Sequence, residues 1–418
     1  MFDNIIDELD ARGLIKDYSN KDLVKELLKT PQTIYCGFDP SASSLQIGNF
    51  VMIMTLMRFR QYGHSVIALV GGATGMIGDP SGKSKERVFL KTEDVLNNVE
   101  NIKKQLSRFI DFSDSSKALL VNNYDWIKDI SLLEYLRDYG KFININYMLS
   151  KEVVASRLEN GISYTEFSYM LLQSIDFYKI HEKYNCNLQI GGSDQWGNLT
   201  TGLELIRKLK GDQEKVGCMV LHLITTSDGK KFGKSEGGAL YLNEKMTTPY
   251  KLYQYFLNSG DNDAVHYLKV FTFIPVEEIN EIEKEHLANL GSRIAQKRLA
   301  YEVVKIIHGE EKANIAVKMS EAFFKNQFSD LSEEQILELF NGYIFNLNEN
   351  ISLLDTLLTT KICNSKREAR ELINGNSISI NGEKVNKEDL LLKKENALYG
   401  KFIILKKGKK NYYLINLE

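Results

Sequence analysis

Short apolar runs alternate with helical patterns through the first half of the chain, and this alternation limits the fold more than any other feature. The apolar runs lie at residues 33–37, 65–71, 118–121, 188–190 and 219–224. The helical patterns between them lie at residues 50–62, 93–112, 164–184 and 196–210. Strands and helices in alternation predict an α/β fold, a Rossmann-like doubly wound parallel sheet with helices on both faces. Ligands of such sheets bind at the carboxyl ends of the strands.

A change of pattern near residue 245 divides the chain further. Helical patterns occupy residues 249–259, 263–270, 275–287 and 293–308, and an acidic, Asn-rich stretch follows at 329–350. We therefore predict a catalytic domain over residues 1–245 with an insertion at about 120–160, a helical domain over 246–328, a linker over 329–350 and a small α+β module over 351–418. In the last module, Ser365 and Glu368 predict a capping box, and Asn381-Gly382 predicts a hairpin turn.

Composition argues against several classes of protein. Of the 418 residues 26% are charged, and no apolar run reaches the length of about 18 residues that a membrane span needs, so we expect no membrane contact. The four cysteines lack Cys-x-x-Cys spacing, and the acidic N-terminus lacks the features of a secretory signal, so we expect a cytoplasmic protein. Net charge is −2, but residues 351–418 carry 13 Lys and Arg against 8 Asp and Glu, which suits contact with a polyanion.

Two separate segments have the composition of a phosphate site. Residues 38–49 contain a glycine turn where a strand passes into a helix, and Lys231-Phe232-Gly233-Lys234-Ser235 places two lysines in one short loop. A helix N-terminus and a lysine loop together suit a polyphosphate held between them. Taken alone, a short Gly-Lys stretch is more often a solvated turn.

Three polar residues, Tyr169, Gln173 and Asp176, share one face of a predicted helix. Such a stripe is usually the solvated face of the helix. Polar residues that end or follow predicted strands favour a cleft instead: Tyr35, Asp79 and Asp194. An ordinary turn explains the second of these, and a helix cap explains the third about equally well.

Five segments in this order resemble bacterial-type tyrosyl-tRNA synthetases, a family of class I aminoacyl-tRNA synthetases. They are Tyr35-Cys36-Gly37-Phe38-Asp39-Pro40, Gln46-Ile47-Gly48-Asn49, residues 71–82, Gly191-Gly192-Ser193-Asp194-Gln195-Trp196-Gly197-Asn198, and the lysine loop at 231–235. The similarity covers essentially the whole chain. It implies a tyrosine–tRNA ligase that is a homodimer, with a helical anticodon-binding domain and a C-terminal RNA-binding module.

The resemblance also implies residue roles. Tyr35 and Asp176 match the pair that binds the phenol hydroxyl of tyrosine. Groups that hold its α-ammonium match Asp79, Tyr169 and Gln173, and Gln195 matches a residue near the substrate carboxyl and the ribose. The ATP site matches Cys36, Gly37, Asp39, Gly48, Asn49, Gly192 and Asp194, although a small core residue is the ordinary interpretation of the cysteine. Groups around the departing pyrophosphate match Ser41, Gln46, Lys83, Arg87, Lys231 and Lys234.

The implied reaction needs cations more than a base. The carboxylate of tyrosine attacks the α-phosphorus of ATP, with Mg²⁺ as the phosphate counterion and no tightly bound metal or organic cofactor, and the 3′-terminal adenosine of tRNA(Tyr) then accepts the tyrosyl group. Positioned donors and cations stabilise the charge that develops on the phosphates. The family usually has histidine where this chain has Gln46, and an amide donates a hydrogen bond but carries no charge. We therefore expect the lysine loop, Lys83 and Arg87 to supply the charge.

RNA contacts and a dimer surface are implied less directly. Residues matching acceptor-stem contacts are Lys151, Arg207 and Lys208. The C-terminal module resembles one shared by a ribosomal small-subunit protein and pseudouridine synthases, and its basic candidates are Lys366, Arg367, Arg370, Lys407, Lys409 and Lys410. A solvated charged surface is the usual outcome for such residues. Apolar residues at 142–149 and Tyr164 supply a candidate dimer surface, although they suit a core comparably well.

Two other functions are consistent with parts of the sequence. A tryptophan-activating enzyme of the same class is disfavoured by the pairing of Tyr35 with Asp176, because indole offers one donor and no acceptor. A catalytically silent RNA-binding protein gains support from Gln46, but the retained loop lysines and tyrosine contacts weigh against it.

We expect Gln46→Ala to slow the formation of tyrosyl-adenylate and to leave the Kd for tyrosine unchanged, because the amide is assigned to a phosphate oxygen of ATP. Single-turnover adenylate formation and equilibrium binding of tyrosine measure the two quantities. An unchanged rate would remove Gln46 from the phosphate site.

Overall fold

The structure is a computed structural model that describes residues 2–81, 89–158, 161–227, 229, 232–235, 238–408 and 411–418. Two compact units make up the chain, Met1–Gly309 and Glu310–Glu418. The predicted boundaries at 246 and 329 differ from this division, because the helices between residues 249 and 308 belong to the first unit and the helix at Glu310–Lys325 belongs to the second.

A six-stranded sheet is the centre of the first unit. Its strands are β1 (Ile15–Tyr18), β2 (Thr33–Phe38), β3 (Ser65–Val70), β4 (Ala118–Asn122), β5 (Cys186–Gly192) and β6 (Gly217–Leu221), in the order β1-β6-β5-β2-β3-β4. Strands β2 to β6 are parallel, which confirms the predicted sheet, and β1 is an antiparallel edge strand. Parallel strands are covered on both faces, and β3 and β6 are accordingly buried along almost their whole length.

Helices of the first unit up to the end of the sheet are α1 (Ile5–Ala11), α2 (Lys21–Leu27), α3 (Phe50–Gln61), α4 (Thr74–Ile77), α5 (Thr92–Leu106), α6 (Tyr124–Ile127), α7 (Leu132–Glu134), α8 (Ile145–Leu149), α9 (Glu152–Ala155), α10 (Tyr164–Tyr184) and α11 (Trp196–Lys210). The longest is α10, which begins where the Ser163 hydroxyl accepts a hydrogen bond from the Glu166 amide and ends at Asn185 in the left-handed region. The Glu166 carboxylate pairs with buried Arg157 at 2.8 Å.

A short two-stranded sheet, β7 (Lys234–Ser235) with β8 (Gly238–Ala239), leads into four further helices. They are α12 (Pro249–Leu257), α13 (Asp261–Phe271), α14 (Val276–Ala288) and α15 (Ile294–His308), close to the predicted bounds. Helix α12 begins at Pro249 because the Thr248 hydroxyl caps it and proline has no amide hydrogen to leave unsatisfied.

Within its described residues, the second unit combines four helices with a five-stranded sheet. The helices are α16 (Glu310–Lys325), α17 (Glu333–Leu339), α18 (Leu353–Thr359) and α19 (Lys366–Asn374). Sheet order is β12 (Glu383–Val385), β11 (Ile378–Ile380), β14 (Phe402–Lys407), β15 (Asn411–Leu417) and β9 (Ile344–Leu347), and β10 (Ile351–Ser352) pairs with β13 (Leu391–Leu392). Asn381 and Gly382 form the predicted turn between β11 and β12, both with positive φ.

The stretch 329–350 is not a linker. It contains α17, and it contains β9, which pairs in parallel with β15 and so belongs to the C-terminal sheet. Leu331, Ile336 and Phe340 of this stretch are buried, whereas Leu337, Tyr343 and Ile344 are exposed. Overall polarity concealed these positions, because a short helix needs only one apolar face to pack.

Within the described residues, no helix is both long enough and apolar enough to span a bilayer.

Candidate active site

A cavity of about 910 Å³ opens at the carboxyl ends of β2, β5 and β6. All the predicted tyrosine contacts line it, namely Tyr35, Asp79, Tyr169, Gln173, Asp176 and Gln195. Nine of the predicted ATP and phosphate residues also line it: Cys36, Gly37, Asp39, Ser41, Gln46, Gly48, Asn49, Gly192 and Asp194. Among the predicted residues that the structure describes there is one exception. The exception is Lys234, whose side chain is exposed. The structure thus brings together residues from five separate segments of the chain.

Asp176 lies in a fully buried position in this cavity. Its two oxygens accept hydrogen bonds from Asn123 Nδ2 and from Trp126 Nε1, each at 2.9 Å. Burial raises the pKa of Asp176 to about 8, although these hydrogen bonds act in the opposite direction. Each carboxyl oxygen keeps a further lone pair, so the group can accept one more hydrogen bond.

Tyr35 is also buried, and its hydroxyl oxygen accepts a hydrogen bond from Gln189 Nε2 at 2.6 Å. Burial holds the pKa of Tyr35 well above its ordinary value, and the charge of Asp176 adds to this effect. The phenol therefore keeps its proton, and because Gln189 occupies the oxygen as a donor, that proton remains available for a ligand. The cavity thus offers an acceptor at Asp176 and a donor at Tyr35.

Sequence reasoning missed Asn123, Trp126 and Gln189, which orient these two groups. A signal for the first was present, because Asn123 directly follows β4, at the same end of the parallel strands as the other site residues. No local pattern indicates Gln189, which lies inside a strand between apolar neighbours. Only the pairing of β5 beside β2 brings it to Tyr35.

Acceptors converge in the middle of the cavity. Tyr169 donates its hydroxyl hydrogen to Asp39 Oδ2 at 2.8 Å, and Asp39 Oδ1 accepts from the Thr74 hydroxyl at 2.8 Å. Gln173 Oε1 is buried and has no hydrogen-bond partner. A buried acceptor without a partner costs roughly 1–3 kcal/mol unless a ligand supplies the donor. A cationic, multiply donating group such as an ammonium fits this region.

Asp79 and Gln195 form a second polar group beside it. Asp79 accepts from the Ser81 amide at 2.9 Å and from Gln195 Nε2 at 2.6 Å. Gln195 Oε1 in turn accepts from Asn198 Nδ2 at 3.1 Å. These bonds hold the Asp79 carboxylate and the Gln195 amide in fixed orientations at the cavity wall.

The glycine turn and the lysine loop, distant in sequence, contact each other. The Ile47 amide donates to the Leu240 carbonyl at 2.9 Å, and Gln46 pairs with Tyr241 in an isolated antiparallel bridge. Gly233 has φ of +76°, and a Cβ there would lie only 2.6 Å from Cγ2 of Ile47. Glycine at 233 is therefore required both by its backbone conformation and by this close contact.

An aromatic cluster anchors the lysine loop. Phe232 is buried, with its ring centroid 5.1 Å from that of Phe271 and 5.0 Å from that of Tyr267. The Gly233 amide donates to the Tyr255 hydroxyl at 2.8 Å. Lys234 is exposed, while Lys83, Arg87 and Lys231 lie outside the described residues.

Cys36 lines the cavity as a neutral residue. It is 2% exposed, and burial raises the pKa of its thiol to about 12, so the thiolate is not populated near neutral pH. A small core side chain at the cavity wall describes it best.

Basic residues assigned to RNA mostly have partners within the chain. In the first unit, Lys151 donates to the Thr200 hydroxyl at 3.1 Å, Arg207 pairs with Glu204 and Asp212, and Lys208 is 3.7 Å from Glu204. In the second unit, Arg367 pairs with Glu371, Arg370 with Glu388, and Lys407 with Glu368. Lys366 is exposed, and Lys409 and Lys410 lie outside the described residues. Exposed pairs of this kind are worth only about 0.2–1 kcal/mol, so a phosphate can replace the carboxylate.

The predicted dimer surface is partly exposed and partly core. Ile145 and Tyr164 are 63% and 68% exposed, while Met148 is buried. Leu132 and Leu133 add further exposed apolar surface, at 72% and 76%. Large apolar side chains with this degree of exposure are typical of a protein interface.

Family models match both units. A model described as tRNA synthetases class I (W and Y) matches residues 27–325, and one described as the tyrosine–tRNA ligase SYY-like C-terminal domain matches residues 338–415. The tyrosine–tRNA ligase of Staphylococcus haemolyticus is 45% identical over 421 aligned residues, which cover 100% of both chains. The fold and cavity are those of a class I aminoacyl-tRNA synthetase, and this chain belongs to the tyrosine–tRNA ligase family.

Solved structures agree with this assignment. A C-terminally truncated mitochondrial tyrosyl-tRNA synthetase of Aspergillus nidulans is 31% identical with a TM-score of 0.69, covering 77% of this chain and 95% of that one. A tryptophanyl-tRNA synthetase of Encephalitozoon cuniculi, at 13% identity and a TM-score of 0.55, covers 74% of this chain and 87% of its own. The second likeness concerns the fold alone.

We expect Asp176→Asn to gain stability relative to the unaltered protein as pH rises. In the folded protein the pKa of Asp176 is about 8, which is above its value in the unfolded chain. Between about pH 4 and about pH 8 the folded protein therefore keeps a proton on this carboxyl that the unfolded chain has lost. Across that range the carboxyl makes folding less favourable as the pH rises. Asparagine lacks this penalty, which grows by at most about 1.4 kcal/mol per pH unit. Thermal unfolding of ligand-free protein from about pH 5 to about pH 9 measures the difference.

Asp114→Asn is the matched control, because hydrogen bonds from Ser116 and Lys117 lower the pKa of that exposed carboxyl to about 2 and both chain states are ionised throughout the range. Its stability difference should stay constant with pH. A difference for Asp176→Asn that is equally constant would contradict a raised pKa at this site.

Proposed function

We propose that this chain is a tyrosine–tRNA ligase, which activates tyrosine with ATP to tyrosyl-adenylate and pyrophosphate and then transfers tyrosine to the 3′-terminal adenosine of tRNA(Tyr). One observation carries the proposal: a buried carboxyl at Asp176 and a buried phenol at Tyr35 line the same cavity, each with one hydrogen-bonding position open. A ligand hydroxyl that both donates and accepts satisfies the two together.

Selection of tyrosine over phenylalanine follows from these open positions. The substrate phenol donates to Asp176 and accepts from Tyr35, whereas phenylalanine leaves both buried groups unpaired. Each unpaired group costs roughly 1–3 kcal/mol, more for a charged one. Rejection of phenylalanine in this way is established for tyrosyl-tRNA synthetases in general, and we carry it over to this chain.

Recognition of the α-ammonium is assigned to Gln173, Asp79 and the Tyr169 hydroxyl. The open acceptor of Gln173 and the carboxylate of Asp79 supply hydrogen-bond acceptors and negative charge. Asp39 accepts the hydrogen of Tyr169, so the lone pairs of that hydroxyl oxygen remain for the substrate. With the phenol and the ammonium fixed at two points, the carboxylate of tyrosine is held near Gln195.

The chain's task in the first step is to orient the substrates and to stabilise charge. The attacking carboxylate is already ionised at neutral pH, so no general base is needed. ATP, as its Mg²⁺ complex, is assigned to the open end of the cavity, beside Gly37, Asp39, Gly48, Asn49, Gly192 and Asp194. Gln46 and Ser41 donate hydrogen bonds to phosphate oxygens, and Lys83, Arg87, Lys231 and Lys234 supply positive charge there.

Tryptophan is the competing substrate within this class of fold. Indole has one N–H donor and no acceptor, so it satisfies Asp176 and leaves the donor of Tyr35 unpaired. The geometry of the two groups therefore favours tyrosine.

We also propose a homodimer, formed through the exposed apolar residues Leu132, Leu133, Ile145 and Tyr164, and a cytoplasmic location. Burial of these side chains between two copies removes them from water at about 25 cal/mol per Å². The four cysteines are free and buried, as suits a reducing compartment. Contact with tRNA is assigned to the second unit and to Lys151, Arg207 and Lys208.

Exchange of pyrophosphate into ATP tests the catalytic proposal. We expect exchange that depends on tyrosine, with phenylalanine and tryptophan giving far less, because only tyrosine fills both hydrogen-bonding positions. Exchange that depends on tryptophan would assign the other amino acid. Absence of exchange with all three would support an RNA-binding protein without catalysis.

A chain that ends at Gly309 tests the assignment of tRNA to the second unit. The observed boundary makes this a better cut than residue 351, which would leave β9 without its partner strand β15. We expect tyrosine-dependent exchange to persist and charging of tRNA to fall below detection. Aminoacylation with radiolabelled tyrosine measures the second activity, and full charging by the truncated chain would contradict the assignment.

A further inference from the structure

A buried group of charged residues joins α1 to α3 and does not line the cavity. The Glu8 carboxylate accepts from Arg12 Nε at 2.7 Å and from the Tyr62 hydroxyl at 2.7 Å, and Arg58 Nε is 3.8 Å away. Glu8, Arg12 and Arg58 are 9%, 3% and 0% exposed. We call these four residues the Glu8 cluster.

Both guanidinium groups of the Glu8 cluster point at the end of α13. Arg58 Nη2 donates to the carbonyls of Val270 at 3.0 Å and of Thr272 at 2.7 Å. Arg12 donates to the carbonyl of Lys269 at 3.0 Å and to that of Ile274 at 2.9 Å. The last turn of a helix leaves carbonyls without intrahelical partners, and cations are favoured there by the helix dipole. The cluster thus fixes the C-terminal turn of α13.

Phe271, the last residue of α13, lies between the two phosphate-site segments. On one side its ring stacks on Phe232 of the lysine loop, with centroids 5.1 Å apart and an interplanar angle of 16°. On the other side it stacks on Phe50, the first residue of α3, at 6.3 Å and 4°. Phe50 directly follows Gln46-Ile47-Gly48-Asn49 in the chain. Phe271 therefore packs against the lysine loop and against the helix that begins at the glycine turn.

We propose that Glu8, Arg12 and Arg58 are positioning residues for the lysine loop: by fixing the end of α13 they hold Phe271, and Phe271 holds Phe232 and the loop at the phosphate end of the cavity. The inference rests on the proposed function. None of the three residues lines the cavity, so their effect on the reaction passes through packing alone.

Glu8 is the critical member because it is the carboxylate between two buried cations. Burial acts to raise its pKa, but hydrogen bonds from Tyr62 and Arg12 and the charges of both arginines lower it, so Glu8 stays ionised. Burial and the neighbouring Arg12 lower the pKa of Arg58 to about 9, and the charge of Glu8 opposes that change. Removing the carboxylate charge leaves two guanidinium groups facing one another in a buried space, which displaces them from the α13 carbonyls.

Glu8→Gln is the decisive variant, because glutamine keeps the shape and an acceptor oxygen but removes the charge. Gln296→Met is the matched control. Gln296 is fully buried, and its Nε2 donates at 2.7 Å to Asp261, the first residue of α13, at the end of that helix opposite to Phe271. Three quantities are measured below the unfolding temperature of each protein. They are the kcat of pyrophosphate exchange, the Kd for tyrosine, and the rate of tryptic cleavage after Lys234 mapped by mass spectrometry.

We expect Glu8→Gln to lower the exchange kcat by roughly 10- to 100-fold, the usual scale for displacement of a catalytic group by about an ångström. The Kd for tyrosine should not change, and cleavage after Lys234 should accelerate. Gln296→Met should change none of the three. Equal kcat and equal cleavage in the two variants would overturn the inference.

Two further outcomes are distinguishable. If Glu8→Gln does not fold, Tyr62→Phe applies the same test, because it removes one hydrogen bond to Glu8 and keeps every charge. A smaller loss of kcat together with faster cleavage after Lys234 supports the inference. No change in kcat or in cleavage overturns it. If the unaltered protein shows no exchange, the proposed function fails, and the cleavage rates alone still decide whether the Glu8 cluster positions the loop.

Discussion

Burial of the Asp176 carboxyl group, beside the carboxyl ends of the parallel strands, is the interaction on which the rest of the site depends. Asp176 is removed from water in a long helix that packs against the sheet, and the protein compensates with hydrogen bonds from Asn123 and Trp126. Burial outweighs these two hydrogen bonds, so the pKa of Asp176 is raised to about 8. A buried acceptor held in this state discriminates strongly, because any ligand without a donor at that point leaves it poorly satisfied.

Three separate constraints place the other groups around this carboxyl. Parallel pairing of β2 with β5 brings Gln189 to Tyr35, so the phenol is oriented by a strand and not by its own turn. The Asp39 carboxylate links Tyr169 to Thr74 across the cavity. At the phosphate end, contact between Ile47 and Gly233 joins segments separated by almost half the chain. Rigid elements thus carry most of the site, and the lysine loop is held by aromatic packing.

The strands and most helices could be predicted because their apolar spacing is local. Helices α10 and α11 have the predicted bounds: Ser163 caps the start of α10, and Asn185 and Gly211, both with positive φ, end the two helices. The stretch 329–350 was wrongly predicted as a linker because one buried face of a short helix and a four-residue strand leave little trace in an acidic, Asn-rich segment. The cavity residues were predicted from resemblance, while Asn123, Trp126 and Gln189 were missed because their roles arise only from pairing across the fold.

By itself the sequence determined the α/β class, the motifs at the strand ends and the types of chemical group available, because these depend on residue identity and local periodicity. Tertiary structure alone decided which groups meet: that Gln189 orients Tyr35, that Gln173 keeps an open acceptor, and that Phe271 lies between Phe50 and Phe232. The physical reason is that hydrogen bonds and ring contacts act over a few ångströms, and distances of that order between distant segments are set by packing of the whole unit and not by any neighbouring residues in the chain.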